Sequence, residues 1–349
     1  MSDIRNDLID TIDRVSEEQC TRAVRNAAEQ GEWPADLWDG LDAIGLVRAL
    51  LPEEADGSDL DFDDAMAVLR RCAYHAVPLP LGETMLAGRL LLAAGLPVPH
   101  GPLTIVPPGR EPLAVRGEGA NAGVSGTAVR VPWGDACPHA VLVGSLDGTP
   151  VIGVVATKGS VQAMRRNLAG EPRCDMQWAE APLLAVAPFP GGLDRLRAEG
   201  ALIRSVQMAG ALERILAYSV QYANERVQFG KPIGKFQAVQ HMLALLAGQC
   251  AAAGAAADLA VEASTLEADA FAVAVAKSRT GEAAGKGAEI AHQVHGAMGF
   301  THEHNLHHNT RRLWSWREEF GNESFWQERL GRAVAAAGPQ ALWPLITAM

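Results

Sequence analysis

Cysteine is scarce: Cys20, Cys72, Cys137, Cys174 and Cys250 are scattered along 349 residues, and none forms a CxxC pair. That spacing leaves no disulfide framework and no cysteine zinc site to organise the fold. Basic charge is also short. A net charge of −11 argues against nucleic acid as a partner, because a phosphate backbone needs a lysine- and arginine-rich face, although a local basic patch can still hold one small anion. The opening segment, MSDIRNDLIDTIDRV, is acidic from Asp3 and has no apolar core, so no signal peptide is expected. No stretch reads as a charge-free apolar run of about 20 residues, so no membrane span is expected. A cytoplasmic location is the default. What is present is an ordinary globular composition, 48% hydrophobic and 20% charged, on a chain long enough for two or three packed domains.

The hydrophobic period changes twice along the chain. Residues 1–100 read as a helical domain. Leu8, Ile9, Ile12 and Val15 fall at helical spacing within Asn6–Gln30, and Leu37–Leu51 and Asp61–Tyr74 repeat the pattern, with Pro52 and the Pro78–Pro80 cluster between elements. Residues 101–190 lose the helical period and turn to glycine, proline and valine. There AVLVGSLDGTPVIGVVA reads as two strands joined at Asp147-Gly148, a strong hairpin signal. Residues 191–349 return to long helices: Leu193–Arg226, the alanine-rich Ala238–Ala263, Phe271–His295, Asn305–Phe320 and Ser324–Ala337. In the first of these Leu202, Ile203, Val206, Ala209, Leu212, Leu216 and Val220 lie on one stripe. An antiparallel bundle is the simplest way to bury such helices. The fold class is therefore mainly α with a central β domain.

Two segments concentrate the chemistry. The connector Glu225–Gln237, ERVQFGKPIGKFQ, carries Arg226, whose fork of donors suits a pyrophosphate or carboxylate. Gln228 and Gln237 add amides, Phe229 and Phe236 flat apolar surface, and Gly230, Pro232 and Gly234 a tight turn. The mixture suits a nucleotide; it equally suits a helix connector whose phenylalanines plug the core. The second segment, Gln293-Val-His-Gly-Ala-Met-Gly-Phe-Thr301, ends a helix at glycines that let backbone amides approach a ligand, or simply cap the helix. His304 and His308 stand four apart, a metal-ligand spacing, but Arg311 and Arg312 follow and repel a dication, so no metal is expected. Glu318, Glu319 and Glu199 are the candidate general bases, with solvated helix charges as the alternative.

Together, ERVQFGKPIGKFQAVQHMLA and AHQVHGAMGFTHEHNLHHNTRR resemble the C-terminal half of the acyl-CoA dehydrogenase family in order and spacing. The resemblance extends over the chain as a helical, β and helical arrangement. It implies an N-terminal helical domain, a small β-barrel-like domain and a C-terminal four-helix bundle. It also implies FAD-dependent α,β-dehydrogenation of an acyl-CoA, in which a glutamate removes the α-proton. In that family FAD lies across a subunit interface. By position, Arg226 and Gln228 would reach the diphosphate and adenosine side of a neighbour's FAD, with Phe229 and Phe236 beside it and Gln237 in the same contact. Gln293 and the Gly296–Ala297 backbone would hold the adenine-nucleotide part.

The sequence also departs from the family. No Thr-Glu-x-x-x-Gly-Ser-Asp flavin loop occurs between 100 and 190; RGEGANAGVSG is the nearest text. The family position for a base after the last motif falls on Phe320, one residue beyond Glu319, and the alternative position falls on Gly200, beside Glu199. Some family members are short subunits, many of them in steroid side-chain or aromatic-acid pathways, that work as heterotetramers with a longer partner and lend it adenine-nucleotide contacts. The expected arrangement is such a subunit, or a homo-oligomer, with Glu319 as the catalytic candidate.

Overall fold

The computed structural model describes residues 3–117 and 119–347. Its elements begin with α1 (Asp3–Gln19), α2 (Arg22–Gln30), α3 (Ala35–Ala43), α4 (Phe62–Tyr74) and α5 (Leu81–Ala93). Strands follow: β1 (Leu103–Ile105), β2 (Leu113–Arg116), β3 (Gly123–Pro132), β4 (His139–Leu146), β5 (Thr149–Ala156), β6 (Val161–Arg166) and β7 (Pro172–Pro188). The chain then forms α6 (Gly192–Glu225), a two-residue ladder β8 (Val227–Gln228) and β9 (Lys231–Pro232), α7 (Gln237–Ala263), α8 (Ala270–His295), α9 (Leu306–Trp316), α10 (Glu323–Ala337) and α11 (Leu342–Thr347). The helical, β, helical order and the mainly α class match the sequence reading.

Several boundaries move, each for a local reason. The expected helix Asn6–Gln30 is two helices, because the Thr21 side chain accepts from Val24 N and starts α2 afresh. The expected helix Leu37–Leu51 stops at Ala43, and Gly45 turns the chain at φ 75°. Helix α5, unmarked by any stripe, is buried on nearly every side.

The contacts form two compact units. One comprises residues 14–65 and 78–200. Its strands close into a small barrel: β4 pairs with β2, β2 with β3, β3 with β7, β7 with β5, and β5 with β4 again. Closure removes the free edges that an open sheet would expose. Val115, Val124, Val131, Leu142, Val155, Met176 and Trp178 fill its interior. The hairpin falls at Asp147-Gly148, both with positive φ, and registers Leu146 against Thr149.

The other unit comprises residues 1–13, 66–77 and 201–349. It is a helical bundle whose core joins Met208, Leu212 and Ile215 of α6 to Leu246 and Ala253 of α7, Ala283 and Ala284 of α8, and Leu313 and Trp316 of α9. Alanines at these positions let the helix axes approach closely. Val220, assigned to the buried stripe, is 40% exposed. Helix α7 corrects another expectation: by length and composition it is long and apolar enough to cross a membrane. Leu246, Cys250, Ala253, Ala257 and Ala260 are nonetheless buried in the protein.

Candidate functional site

The connector after α6 is a tight hairpin on the surface of the bundle. Its ladder pairs Val227 with Pro232 and Gln228 with Lys231, leaving Phe229 and Gly230 at the turn with φ of 52° and 77°. A two-residue turn of this kind needs positive φ at both positions, and asparagine or glycine usually supplies it. A phenylalanine there is strained. Phe229 is 92% exposed and its ring meets Phe236 edge-on at 6.1 Å, while Lys231 Nζ lies 4.5 Å from the Phe236 ring centre. Ile233 N donates to Arg226 O at 2.8 Å and closes the base of the hairpin. Arg226, Gln228 and Gln237 are exposed. The phenylalanines therefore do not plug the core of the chain.

The second segment lies at the end of α8. Gly296 stops the helix at φ 59°, ψ −139°, a conformation essentially closed to side-chain-bearing residues. Gln293, Gly296 and Ala297 are exposed. Together with Gly285, Glu289, His292, Phe300 and Trp314, Gln293 and Gly296 line a surface cleft. His292 stacks against Phe300 at 4.4 Å and Trp314 at 5.5 Å. Its Nε2 is 3.0 Å from Thr310 Oγ1, and its buried Nδ1 has no hydrogen-bond partner among the described residues. Burial lowers its pKa. The two segments are joined by a ring stack, since Tyr222 of α6 lies 4.6 Å from His295 of α8 at 25°.

Two of the three candidate bases, Glu319 and Glu199, are held by hydrogen bonds from arginine. Glu319 follows α9, and Arg204 of α6 places Nε and Nη2 each at 2.8 Å from its Oε2. Arg204 is buried, and its Nη1 also donates to Gln207. Glu319 keeps 20% of its side chain exposed. Glu318 is exposed. Phe320, on which the family position falls, is in the left-handed region at φ 56° and is followed by Gly321 at 96°. In the barrel-containing unit, Glu199 is 1% exposed. It accepts from Arg89 Nε at 3.2 Å, and Arg89 itself lies over the Phe62 ring at 4.0 Å. Glu199 is walled off where Glu319 is not. The RGEGANAGVSG segment forms the end of β2, a short 3-10 turn and the start of β3; its Glu118 lies outside the described residues.

His304 and His308 do not form a pair. His304 packs against His295 at 4.6 Å and Tyr218 at 5.4 Å, accepts from Leu306 N through Nδ1 at 3.0 Å, and is pushed down to about 4 by burial. His308 instead packs against His307 at 4.1 Å, the rings tilted by 39°. The sequence reading missed Arg204, Lys277 and Tyr222, all of which act on the segments it singled out. Lys277 left one signal: it is the single charge in AFAVAVAKS, Ala270–Ser278.

Comparison with known proteins matches residues 2–97 to the acyl-CoA dehydrogenase N-terminal domain and residues 198–335 to the acyl-CoA dehydrogenase C-terminal domain. Acyl-CoA dehydrogenase IpdE2 of Mycobacterium tuberculosis is 31% identical over 301 residues, covering 82% of each chain. Its namesake from Mycolicibacterium smegmatis is 29% identical over 312 residues, 88% of this chain and 91% of the relative. In fold, a chain of the ChsE4–ChsE5 complex from Mycobacterium tuberculosis superposes with a TM-score of 0.86 at 22% identity, over 97% of this chain and 99% of the other.

Proposed function

Because the chain belongs to the acyl-CoA dehydrogenase family, we propose that it serves FAD-linked α,β-dehydrogenation of an acyl-CoA thioester as one subunit of an oligomer sharing its cofactor site. One observation carries the shared site: the Arg226–Gln237 hairpin stands on the surface with a strained Phe229 that is 92% exposed. Strain in an exposed aromatic is retained where something outside the chain uses it. Likeness in fold to a chain of the ChsE4–ChsE5 complex is in keeping with a heteromeric partner, a longer acyl-CoA dehydrogenase subunit; a homo-oligomer is the alternative.

The residues present fit FAD. Arg226 offers paired donors for a diphosphate, and Gln228, Gln237 and Gln293 offer amides. Apart from its own stretch of chain, no atom of the described residues lies within 4 Å of where a Cβ on Gly296 would sit, so its backbone is open to a ligand. The unpartnered His292 Nδ1 adds a polar contact beside the same cleft. FAD, when bound, supplies the two-electron acceptor for the bond that loses hydrogen. This chain then contributes position and proton transfer. Arg226 and Gln228 hold the diphosphate side, Phe229 and Phe236 exclude water, and the Glu319 carboxylate takes the α-proton of the thioester. Arg204 aims the Glu319 carboxylate through two contacts of 2.8 Å to Oε2.

That same ion pair favours a second reading, a scaffold subunit whose base belongs to another chain. Expression of the chain alone and with a longer acyl-CoA dehydrogenase subunit separates the two. Flavin absorbance and dye reduction with short-chain, branched, aromatic and steroid acyl-CoA thioesters are the readouts. Activity lost in Glu319→Gln supports the base; full activity in that variant assigns the base elsewhere. No flavin in any assembly contradicts the proposal.

A further inference from the structure

Beneath the turn that carries Glu319 lies a lysine with no exposed surface. Lys277 of α8 donates from Nζ to Arg317 O at 2.7 Å and to Gly321 O at 2.8 Å. These carbonyls bracket Glu318, Glu319 and Phe320. A third tether comes from α10, where Trp326 Nε1 donates to Phe320 O at 3.1 Å. The tethered segment holds Phe320 and Gly321 in the left-handed region at 56° and 96°, a shape that a bulky residue keeps only when its surroundings impose it.

Burying an amine in a bundle core is costly, and a methionine or leucine would fill the same space without that cost. A lysine there supplies what an apolar residue cannot, hydrogens directed at two backbone carbonyls. The groups facing it are Glu323 of α10, Glu319 and Glu318 of the turn, and Arg204 of α6. Burial pushes its amine down to about 7, while attraction to Glu323 and Glu319 opposes the fall. The neutral amine keeps two N–H groups, enough for both carbonyls, so the bridge survives loss of the proton.

We infer that Lys277 is a positioning residue: by bridging the Arg317 and Gly321 carbonyls it fixes the turn that holds Glu319 against Arg204. This rests on the reading of Glu319 as the proton acceptor. Lys277 touches neither thioester nor cofactor and acts through the turn alone.

The test uses Lys277→Met in whichever assembly retains flavin, with two readouts. Amide hydrogen exchange over residues 317–321 is expected to quicken about thirtyfold, the loss of two hydrogen bonds, while residues 226–237 and α7 stay unchanged. Dye reduction with whichever of the panel thioesters the wild type turns over is expected to show kcat about tenfold lower, with KM and flavin per chain unchanged. Unchanged exchange at 317–321, or a rise spread evenly over α8, α9 and α10, overturns the inference. If Lys277→Met does not fold, Lys277→Gln, a shorter donor that cannot span both carbonyls, must loosen the same segment; unchanged exchange there also overturns it. If no thioester is turned over by any assembly, the proposed function fails, while the exchange result still decides whether Lys277 fixes the turn.

Discussion

The Tyr222 ring stacks on the His295 ring at 4.6 Å, four residues before Arg226 and one before Gly296. His295 Nδ1 donates to Ala291 O at 2.8 Å, which fixes its orientation within α8. The stack ties the helix leading into the hairpin to the helix leading into the glycine turn, so the two motifs share one anchor. Motifs separated by about seventy residues in sequence are thus held as a single surface.

Tyr222→Leu removes that anchor while keeping an apolar side chain. An aromatic pair contributes about 0.5–1.5 kcal/mol beyond its buried area, so a drop of a few degrees in melting temperature is expected. Flavin retention during gel filtration should fall as well. A melting shift with flavin fully retained would separate the stack from the cofactor surface.

Phe229→Asn should trade function for stability. Asparagine accepts positive φ far more readily than phenylalanine, which relieves about 1 kcal/mol of strain. The expected outcome is an unchanged or slightly higher melting temperature together with weaker flavin retention or subunit association. Denaturation and analytical ultracentrifugation read the two arms.

The two glutamates should respond oppositely. Glu199→Gln disturbs a buried ion pair, in which Arg89 and Glu199 side chains are 10% and 2% exposed, and losses of up to about 3–5 kcal/mol are typical for such a change. Glu319→Gln sits at a more open pair and should cost less stability, but at least about a hundredfold in turnover if it is the base. Thermal melts beside dye-reduction rates distinguish them.

Lys277 makes stability depend on pH in a defined direction. Its amine titrates near 7 when folded against a reference of 10.5. Between those values the unfolded chain binds more protons than the folded one, so stability from this group rises with pH across that window. Below about 7 both states are protonated and the contribution is flat. Urea melts from pH 6 to 10 should therefore show a rising midpoint component that Lys277→Met removes.

What the sequence made legible was local. The helical, β, helical order follows from changes of period, and the Asp147-Gly148 hairpin from its turn residues. Arg226, Gln228 and Phe229 announced themselves because a connector rarely carries such chemistry. Helix α5 escaped because burial on nearly all sides leaves no polar face to set its period. The charge-free span in α7 is masked in the sequence by glutamines and a histidine that interrupt its apolar look, although no charged residue stands between Gln237 and Ala257.

The interior of the candidate site was illegible for a different reason. Glu319 reads as a solvated helix charge until Arg204, 115 residues earlier, is placed beside it. Lys277 and its two carbonyls are 40 and 44 residues apart. No spacing rule links residues brought together by a bundle's packing rather than by one helix's turn. Only the oddity of a lone charge in an alanine and valine run pointed there.

Flavin content per chain in the purified assembly tests the shared-cofactor account most directly, comparing wild type with Arg226→Ala. A charge-assisted contact to a diphosphate contributes about 1.5–3 kcal/mol. The account therefore predicts roughly ten- to hundredfold weaker FAD retention, with circular dichroism and melting temperature unchanged. Equal flavin content and affinity in the two proteins would contradict it.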